Sequence, residues 1–304
     1  MSDIFMGDPE RAVILKAYPV RETHVGEGLV IRRALPNRKK RLVGPWCFLD
    51  HFGPLRFGDE KIMDVGPHPH IGLQTVTWLI EGEVLHRDSL GYEQMIKPGQ
   101  LNLMTAGQGI SHSEETPSQN AKKLHGVQFW VALPSALRDC APAFLHLPCL
   151  PIVNRNGCQV TVLLGEYEGL SSPAPTPAPI VGLEILLTQP GDHRLTLEPS
   201  FEHGLLVVEG EARLDGIDLK QGALYDLGIT RTEICLSVTA PARLMLIGGE
   251  PFPDPVLMWW NFVADNEEEI RRARDDWQAG RRFGEVSAYP GGPLPAPELK
   301  GKLS

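Results

Sequence analysis

Short apolar segments recur along the chain, and turn-forming residues separate them. Seven segments are rich in Val, Ile, Leu, Thr or aromatic residues, and Gly, Pro, Asp or Asn stand between many of them. They cover residues 73–80, 101–105, 126–133, 159–164, 180–188, 204–208 and 242–247. Many short strands with such punctuation are typical of barrels and sandwiches. The pattern therefore predicts an all-β fold.

Helix signals are convincing in one place, near the C-terminus. Asp265 and Asn266 can cap a helix, the acidic residues 267–269 would fill its first turn, and Gly280 lies beyond its end. Acidic side chains near the N-terminus of a helix are stabilised by the helix dipole. We predict a C-terminal α-helix over residues 267–279.

Two parts of the chain share the same order of turn motifs. Residues 81–83 read Glu-Gly-Glu and are followed by Lys-Pro-Gly at 97–99, while residues 209–211 read Glu-Gly-Glu and are followed by Lys-Gln-Gly at 220–222. Each motif alone is common in turns, but the shared order favours two copies of one β-barrel unit. The proline-containing stretch 134–148 would then separate the two copies.

Composition and charge exclude several classes of protein. The chain has 304 residues and a net charge of -9, so it lacks the basic surface of a general nucleic-acid-binding protein. No apolar run approaches the roughly 18 residues of a membrane span. The N-terminus is polar rather than a signal peptide, and the scattered cysteines contain no Cys-x-x-Cys pair. We expect a cytoplasmic protein without membrane contact.

Two closely spaced pairs of polar residues stand out as candidate metal ligands. His68 and His70 flank Pro69, and His112 and Glu114 are likewise two residues apart. Residues two apart on a strand point to the same face, so two neighbouring strands could direct three imidazoles and one carboxylate to one point. That set suits a first-row metal such as iron. An isolated pair of this kind is more often surface or packing, but two pairs that bracket one hairpin favour a metal site.

The segments around these residues resemble the pirin family. Residues 68–83 read HPHIGLQTVTWLIEGE, residues 104–114 read MTAGQGISHSE, and residues 124–134 read LHGVQFWVALP. The resemblance is weaker in the second half, where it returns at residues 249–251 and 260–263 and in the acidic helix. It covers most of the chain, and its specific motifs lie in the first half.

The resemblance implies a fold and a metal. Pirins consist of two cupin-type β-barrels, here a bicupin with a C-terminal helix. With the stretch 134–148 as the boundary, the predicted domains are an N-terminal metal-binding barrel at residues 1–136 and a C-terminal degenerate barrel with the helix at residues 149–304. It also implies one mononuclear non-haem iron, as Fe(II) or Fe(III), in the N-terminal barrel; other divalent first-row metals are alternatives. The matching ligand positions are His68, His70, His112 and Glu114. The Pro- and Gly-rich residues 289–304 are predicted to be a loose tail.

The chain departs from the family pattern at three positions. Gln74 replaces a glutamate that many pirins carry, and an amide is a poor ligand for a hard cation. Gln108 replaces a frequent arginine, which removes a cation from that position. In the second barrel only His203 stands where a ligand pair would fall, so we expect no metal there and a structural or surface role for His203.

Other histidines admit more than one interpretation. His86 and Asp88 could form an outer shell around the metal or an exposed pair at a strand end. His51, His125 and His146 lie among apolar neighbours, which favours core or rim positions over metal ligation.

The resemblance implies an activity on flavonols such as quercetin, cleaved by a 2,3-dioxygenase at the iron. Glu114 would be the catalytic residue, because a partly dissociated carboxylate could take the flavonol proton as a general base. One alternative is a regulator without turnover, in which the iron senses redox state and the chain binds a transcription factor or a metabolic enzyme. A third alternative is a metal-binding cupin for an unknown metabolite, because fold alone does not identify function.

Overall fold

The computed structural model describes residues 15–25, 29–56, 63–117 and 123–299. These residues form short strands, one α-helix and one 3-10 turn at Ser135–Leu137. The helix is α1, Glu267–Gln278. The strands are β1 Lys16–Pro19, β2 Arg21–Val25, β3 Leu29–Leu35, β4 Trp46–Arg56, β5 Asp64–His70, β6 Leu73–Glu81, β7 Val84–Asp88, β8 Glu93–Ile96, β9 Leu101–Thr105, β10 Ile110–Glu115, β11 Lys123–Ala132, β12 Ala143–Leu147, β13 Ile152–Arg155, β14 Cys158–Tyr167, β15 Leu170–Ser171, β16 Ile180–Leu187, β17 Gly191–Thr196, β18 Glu202–Glu209, β19 Ala212–Leu214, β20 Ile217–Leu219, β21 Ala223–Gly228, β22 Glu233–Val238, β23 Ala242–Gly249, β24 Leu257–Trp259 and β25 Phe262–Ala264.

All seven apolar segments are strands, so the all-β prediction is confirmed. They correspond to β6, β9, β11, β14, β16, β18 and β23. Nearly every residue of these strands is buried, because each lies inside a sheet that is covered on one or both faces. Continuous apolar runs of four to eight residues are the usual signature of such strands.

The first barrel consists of two antiparallel sheets. One has the strand order β12-β9-β6-β11-β4-β3-β2, and the other has the order β5-β10-β7-β8. A core that includes Phe52, Leu79, Val84 and Ile96 draws side chains from both sheets. Burying these side chains is the main favourable contribution to the stability of the barrel.

The second barrel has the same plan. Its larger sheet has the order β1-β21-β18-β23-β16-β14-β13, with β15 paired to β14, and its smaller sheet has the order β17-β22-β19-β20. Among the described residues, the buried members of its core are aliphatic apart from Cys158, Tyr167 and Tyr225, and Phe201 packs against them from a partly buried position.

The turn motifs occupy equivalent places in the two barrels, as the repeat predicts. Glu-Gly-Glu joins β6 to β7 and β18 to β19, and Lys-x-Gly precedes β9 and β21. Gly82 and Gly210 have φ values of 88° and 73°, a region that costs a residue with a Cβ about 1–2 kcal/mol. The motif thus recurs because both hairpins need glycine at the same point.

The two compact units of the chain differ from the predicted domains of 1–136 and 149–304. One unit comprises Cys47–Cys149, Glu22–Arg32 and Pro253–Ser304, and the other comprises Leu150–Phe252, Arg33–Trp46 and the residues up to Arg21. The helix α1 therefore belongs to the unit of the first barrel, not of the second. It packs against β25, and Phe262 of β25 bridges to Ile71, next to the end of β5.

The stretch 134–148, predicted as a spacer, is part of the first unit. It contains β12, which extends the larger sheet by pairing with β9, so that Phe144 lies opposite Met104. Pro142 and Pro148 directly flank this short strand, so the sequence pattern around it is typical of a loop.

The predicted helix is confirmed almost to the residue. Asn266 is the N-cap, and its Oδ1 accepts a hydrogen bond of 2.9 Å from the backbone N of Glu269. The buried side chains of Ile270 and Ala273 join Ile71, Phe262 and Phe283 in one apolar cluster. No helix within the described residues is both long and apolar enough to cross a membrane.

Candidate metal centre

The candidate ligands lie on two adjacent strands of the smaller sheet of the first barrel. β5 and β10 are antiparallel, and His112 lies directly opposite His68. His70 follows His68 by two residues, so both point to the same face of the sheet. β5 is the edge strand of this sheet, where Pro67 and Pro69 remove no hydrogen bond from the ladder.

Three imidazoles converge in the interior of the barrel. The ligand nitrogens of His68, His70 and His112 all lie within 4.8 Å of one another, and Nε2 of His70 is 3.0 Å from Nε2 of His112. The ring centroids of His68 and His112 are 4.4 Å apart. The exposed fractions are only 7%, 1% and 1% of the three residues, so the group is shielded from water.

Burial keeps these imidazoles neutral. It lowers the pKa of His68 to about 4 and holds the pKa of both His70 and His112 well below the ordinary value of histidine. The neighbouring histidines lower these pKa values further. A neutral imidazole has a free lone pair for a metal, whereas an imidazolium has none.

The orientation of His68 also fits a metal ligand. Its Nδ1 lies 2.9 Å from the carbonyl oxygen of Gly66, which can only accept a hydrogen bond. Nδ1 therefore carries the proton, and Nε2 carries the lone pair. A ligating histidine in proteins usually donates its other N–H in this way. The three histidines thus fit a divalent first-row metal in both protonation and geometry.

Glu114 lies beside this group but is not one of its mutually close members. Both carboxylate oxygens accept hydrogen bonds of 3.1 Å from Nε2 of Gln128 on β11, and Thr77 of β6 also contacts the carboxylate. A register shift between His112 and Glu114 interrupts the ladder with β5. Burial raises the pKa of Glu114, while His86, Gln128 and Thr77 oppose that shift.

Comparison with known proteins identifies the family of the chain. Residues 28–131 match the Pirin family model, and residues 182–284 match the model of the pirin C-terminal cupin domain. The chain is 38% identical to a pirin-like protein of Caulobacter vibrioides, over 83% of this chain and 88% of that protein. The chain belongs to the pirin family. Its two barrels are cupin domains, so the predicted bicupin fold is confirmed.

Two further relatives of this pirin-family chain are more similar. A Pseudomonas aeruginosa protein named "Putative quercetin 2,3-dioxygenase" is 43% identical over 97% of this chain and 94% of its own length. A crystal structure named as quercetin 2,3-dioxygenase from Acinetobacter baumannii is 45% identical and superposes with a TM-score of 0.93. That match covers 95% of this chain and 97% of the other.

His86 and Asp88 are buried beside the histidine group, so the exposed alternative for this pair is wrong. Their exposed fractions are 4% and 3%. Nδ1 of His86 lies 3.3 Å from Nδ1 of His112, and Nε2 of His86 lies 3.1 Å from a carboxylate oxygen of Asp88. The spacing of two residues on a strand was the signal in the sequence, but only the fold shows which face the pair occupies.

Aromatic side chains pack beside His70 and His86, and the sequence did not single them out. The indole of Trp130 meets the ring of His70 edge-on at 5.2 Å, and Phe48 stacks on that indole at 3.9 Å. Phe144 stacks on His86 with the ring centroids 4.3 Å apart. These residues come from three strands distant in sequence, β4, β11 and β12, so no local pattern marks them.

Residues 289–299, here called the C-terminal segment and predicted to be loose, are hydrogen-bonded to β5 at Tyr289 and Leu294. The backbone N of Leu294 donates to the carbonyl oxygen of Pro67 at 2.8 Å, and the Tyr289 hydroxyl donates to Asp64 at 2.7 Å. The backbone N of Ser111 donates to the carbonyl oxygen of Phe283 at 3.1 Å. The segment satisfies groups on the outer edge of β5 that a bare edge strand would leave open. The remainder of the predicted tail, residues 300–304, lies outside the described residues.

The structure shows the surroundings of the three residues at which the chain departs from the family pattern. The side chain of Gln74 donates to Thr105 at 3.0 Å, and Arg282 donates to the backbone carbonyl of Gln108. A guanidinium is thus present at Gln108 although that residue is not an arginine. His203 is buried in the second barrel, with 1% of its surface exposed.

Two more histidines form a buried pair away from the candidate metal centre. Nε2 of His51 lies 2.8 Å from Nε2 of His125, as expected for core histidines. His146 is half-buried and contacts Asn102.

Proposed function

We propose that this pirin-family chain is an iron-dependent oxygenase of the quercetin 2,3-dioxygenase type, acting on a flavonol-like organic substrate. The observation that carries the proposal is the group of three buried, neutral imidazoles in the first barrel. The names of the Pseudomonas and Acinetobacter relatives support the reaction type and the substrate class.

His68, His70 and His112 would hold the iron, and Glu114 would be its fourth ligand. Three nitrogen ligands and one carboxylate leave open positions on an iron that can bind oxygen ligands. When bound, the iron supplies Lewis acidity and one-electron chemistry with dioxygen, which no side chain of the protein can supply. Iron is the proposed metal, with other divalent first-row metals as the alternatives.

Glu114 is the proposed catalytic residue. Its carboxylate would accept the proton of the flavonol hydroxyl at one Oε atom, which makes the substrate oxygen a better electron donor. Gln128 donates to both oxygens at 3.1 Å and would hold the carboxylate towards the substrate. The apolar walls formed by Trp130 and Phe48 would exclude water from the reacting groups.

The test combines metal content with oxygen uptake. The protein is purified without chelator, reconstituted with Fe(II) and mixed with quercetin in an oxygen-electrode cell. We expect uptake that needs both iron and the flavonol and that His70→Ala abolishes. His146→Ala is the matched control, because His146 lies in the same unit but outside the ligand group; it should retain both iron and uptake.

Other outcomes would contradict the proposal in distinct ways. Stoichiometric iron without oxygen uptake would make quercetin the wrong substrate or the chain a regulator, and a search for a protein partner would follow. Failure to bind any first-row metal would refute the metal centre itself.

A further inference from the structure

A continuous hydrogen-bonded chain links a buried carboxylate to one of the candidate ligands. Oδ2 of Asp88 lies 3.1 Å from Nε2 of His86, and Nδ1 of His86 lies 3.3 Å from Nδ1 of His112. All three residues are at least nine-tenths buried. The register of β7 on β10 produces this arrangement, because it places Asp88 opposite His112 and His86 opposite Glu114.

The turn after β7 fixes which oxygen of Asp88 faces the imidazole. Oδ1 accepts hydrogen bonds from the backbone N of Leu90 at 2.9 Å and of Tyr92 at 3.1 Å. Oδ2 is therefore the oxygen left for His86. An ionised carboxylate can only accept hydrogen bonds, so Nε2 of His86 must be the donor.

The direction of every further hydrogen bond follows from this one. In a neutral imidazole one nitrogen donates and the other accepts, so Nδ1 of His86 is an acceptor. Nδ1 of His112 must then donate to it, which leaves the lone pair of His112 on Nε2. That nitrogen faces the centre of the group, 3.0 Å from Nε2 of His70.

Packing keeps His86 in this orientation. Its ring is stacked on Phe144 with an angle of 12° between the planes. Tyr92, whose backbone N binds Asp88, contacts the same phenyl ring with the centroids 5.1 Å apart. A tilt of the imidazole out of this plane would break the stack and weaken both of its hydrogen bonds.

We propose that Asp88 and His86 are positioning residues that fix the tautomer and the ring orientation of His112, so that His112 presents Nε2 to the metal. The proposal rests on the metal centre of the proposed function, but not on its reaction or substrate. Partners of this kind raise the basicity of a ligating histidine and limit its movement, and their loss typically costs about 10–100-fold in metal affinity.

Asp88→Asn is the decisive variant. It is expected to reverse the direction of the hydrogen bonds between residue 88, His86 and His112 while keeping the size and shape of the side chain. The amide oxygen would keep the hydrogen bonds to Leu90 and Tyr92, and the amide nitrogen would face His86. An amide nitrogen can only donate, so His86 would accept at Nε2 and donate at Nδ1. Nδ1 of His112 would then accept, and the proton would occupy Nε2, the nitrogen that should bind the metal.

Nitrogen NMR of the metal-free full-length protein with ¹⁵N-labelled histidine, recorded at pH 8, reads the tautomers directly. We expect His112 to be protonated at Nδ1 in the wild type and at Nε2 in Asp88→Asn. We also expect Asp88→Asn to bind Fe(II) about 10–100-fold more weakly in a competition titration under argon. A purely structural role of Asp88 would not reverse the tautomer.

Two further variants keep the test sharp. Glu93→Gln is the control for the loss of one negative charge, since Glu93 is exposed on β8 and pairs with Arg87; its tautomers and Fe(II) affinity should match the wild type. His86→Phe keeps an aromatic ring stacked on Phe144 but removes the hydrogen bonds that link Asp88 to His112. Its Fe(II) affinity should therefore fall as it does in Asp88→Asn.

Two results for the wild type would overturn the proposal: a His112 protonated at Nε2, or a His86 protonated at both nitrogens. An Asp88→Asn variant whose His112 tautomer and Fe(II) affinity are both unchanged would also overturn it. Failure of the proposed reaction is distinguishable, because it would show as absent oxygen uptake in a wild type whose tautomers and Fe(II) affinity are as described.

Discussion

At the scale of single residues, burial decides which histidines can serve as ligands. His24 on β2 is exposed, whereas His70 and His112 are almost completely buried in a pocket of other imidazoles. A buried imidazolium next to further histidines would be strongly destabilised, so these rings stay neutral and keep a lone pair. Burial destabilises the charged form of these histidines. It therefore keeps a nitrogen lone pair free to bind a metal near neutral pH.

His70→Ala and His112→Ala are each expected to lose most of the bound iron while the protein stays folded. The barrel core, which contains neither residue, supplies the stability. Elemental analysis of the reconstituted variants measures the iron, and circular dichroism measures the fold. Full iron occupancy in both variants would contradict the ligand assignment.

Glu114→Gln is expected to retain part of the iron but to lose oxygen uptake with quercetin. The amide keeps the size of the side chain but has neither the charge of a ligand nor the basicity to take a proton. Glu115→Gln is the matched control, because Glu115 is the next residue on β10 and pairs with Arg87 on β7. Uptake that survives in Glu114→Gln would remove Glu114 from the mechanism.

At the scale of secondary-structure elements, β5, which carries two of the candidate ligands, is held from both sides. β10 pairs with one edge, and the C-terminal segment contacts the other through Leu294 and Tyr289. The chain end thereby fixes the backbone that carries His68 and His70. An edge strand with two prolines has few hydrogen bonds of its own, so these additional contacts matter for its position.

Tyr289→Phe is expected to lower the free energy of unfolding of the first-barrel unit by about 1 kcal/mol. It removes one hydrogen bond to Asp64 and leaves the aromatic ring in place. Tyr92→Phe is the control, because Tyr92 is 48% exposed and keeps its ring contact with Phe144. Chemical denaturation of both variants measures the difference; equal stability of Tyr289→Phe and the wild type would show that the segment does not support β5.

At the scale of the whole molecule, both units contain histidines that only the folded state keeps neutral. Burial lowers the pKa of His203 in the second barrel to about 4, with Glu198 and Phe201 opposing the shift and Arg231 adding to it. In the first barrel, burial, Arg32 and His125 lower the pKa of His51 to about 2. An unfolded chain would bind protons at both positions near pH 6.5.

The two histidines are therefore expected to make their full contribution to the free energy of unfolding above about pH 6.5. This contribution falls as the medium becomes more acidic. The contribution of His203 is lost as the pH falls from there to about 4, and that of His51 continues to fall below this pH. Each group approaches a slope of about 1.4 kcal/mol per pH unit. Hydrogen exchange in β18 and β23 between pH 8 and pH 5 measures the second barrel. His203→Gln should flatten its dependence, and parallel curves for the variant and the wild type would contradict this explanation.

Local patterns were sufficient for the strands and for part of the site. The apolar runs predicted β6, β9 and β11 because their residues are buried whatever the detailed topology is. The cap residue Asn266 predicted the start of α1 because capping is a local interaction. The spacing of His68 and His70 predicted a shared face, which depends only on the two-residue period of a strand.

Long-range contacts were not predictable in the same way. The sequence assigned α1 to the second barrel, since the two follow each other along the chain, but its apolar face packs on Phe262 and the cluster next to Ile71. The C-terminal segment was assigned to solvent because Pro and Gly form no regular element, yet it finds hydrogen-bond partners on β5. The contacts of Gln128 with Glu114 and of Trp130 with His70 could not be predicted, because they depend on how β11 packs against β5 and β10.

The sequence by itself determined the all-β class, the repeated barrel, the C-terminal helix and the three histidines that could bind a metal, because each of these depends on local periodicity or a short motif. Only the tertiary structure decided the limits of the two units and the burial of His86 and Asp88. It also decided the direction of the hydrogen bonds that reach His112. The physical reason is that burial and hydrogen-bond direction depend on which strands lie side by side, and strands far apart in the sequence come together only through the packing of the whole barrel.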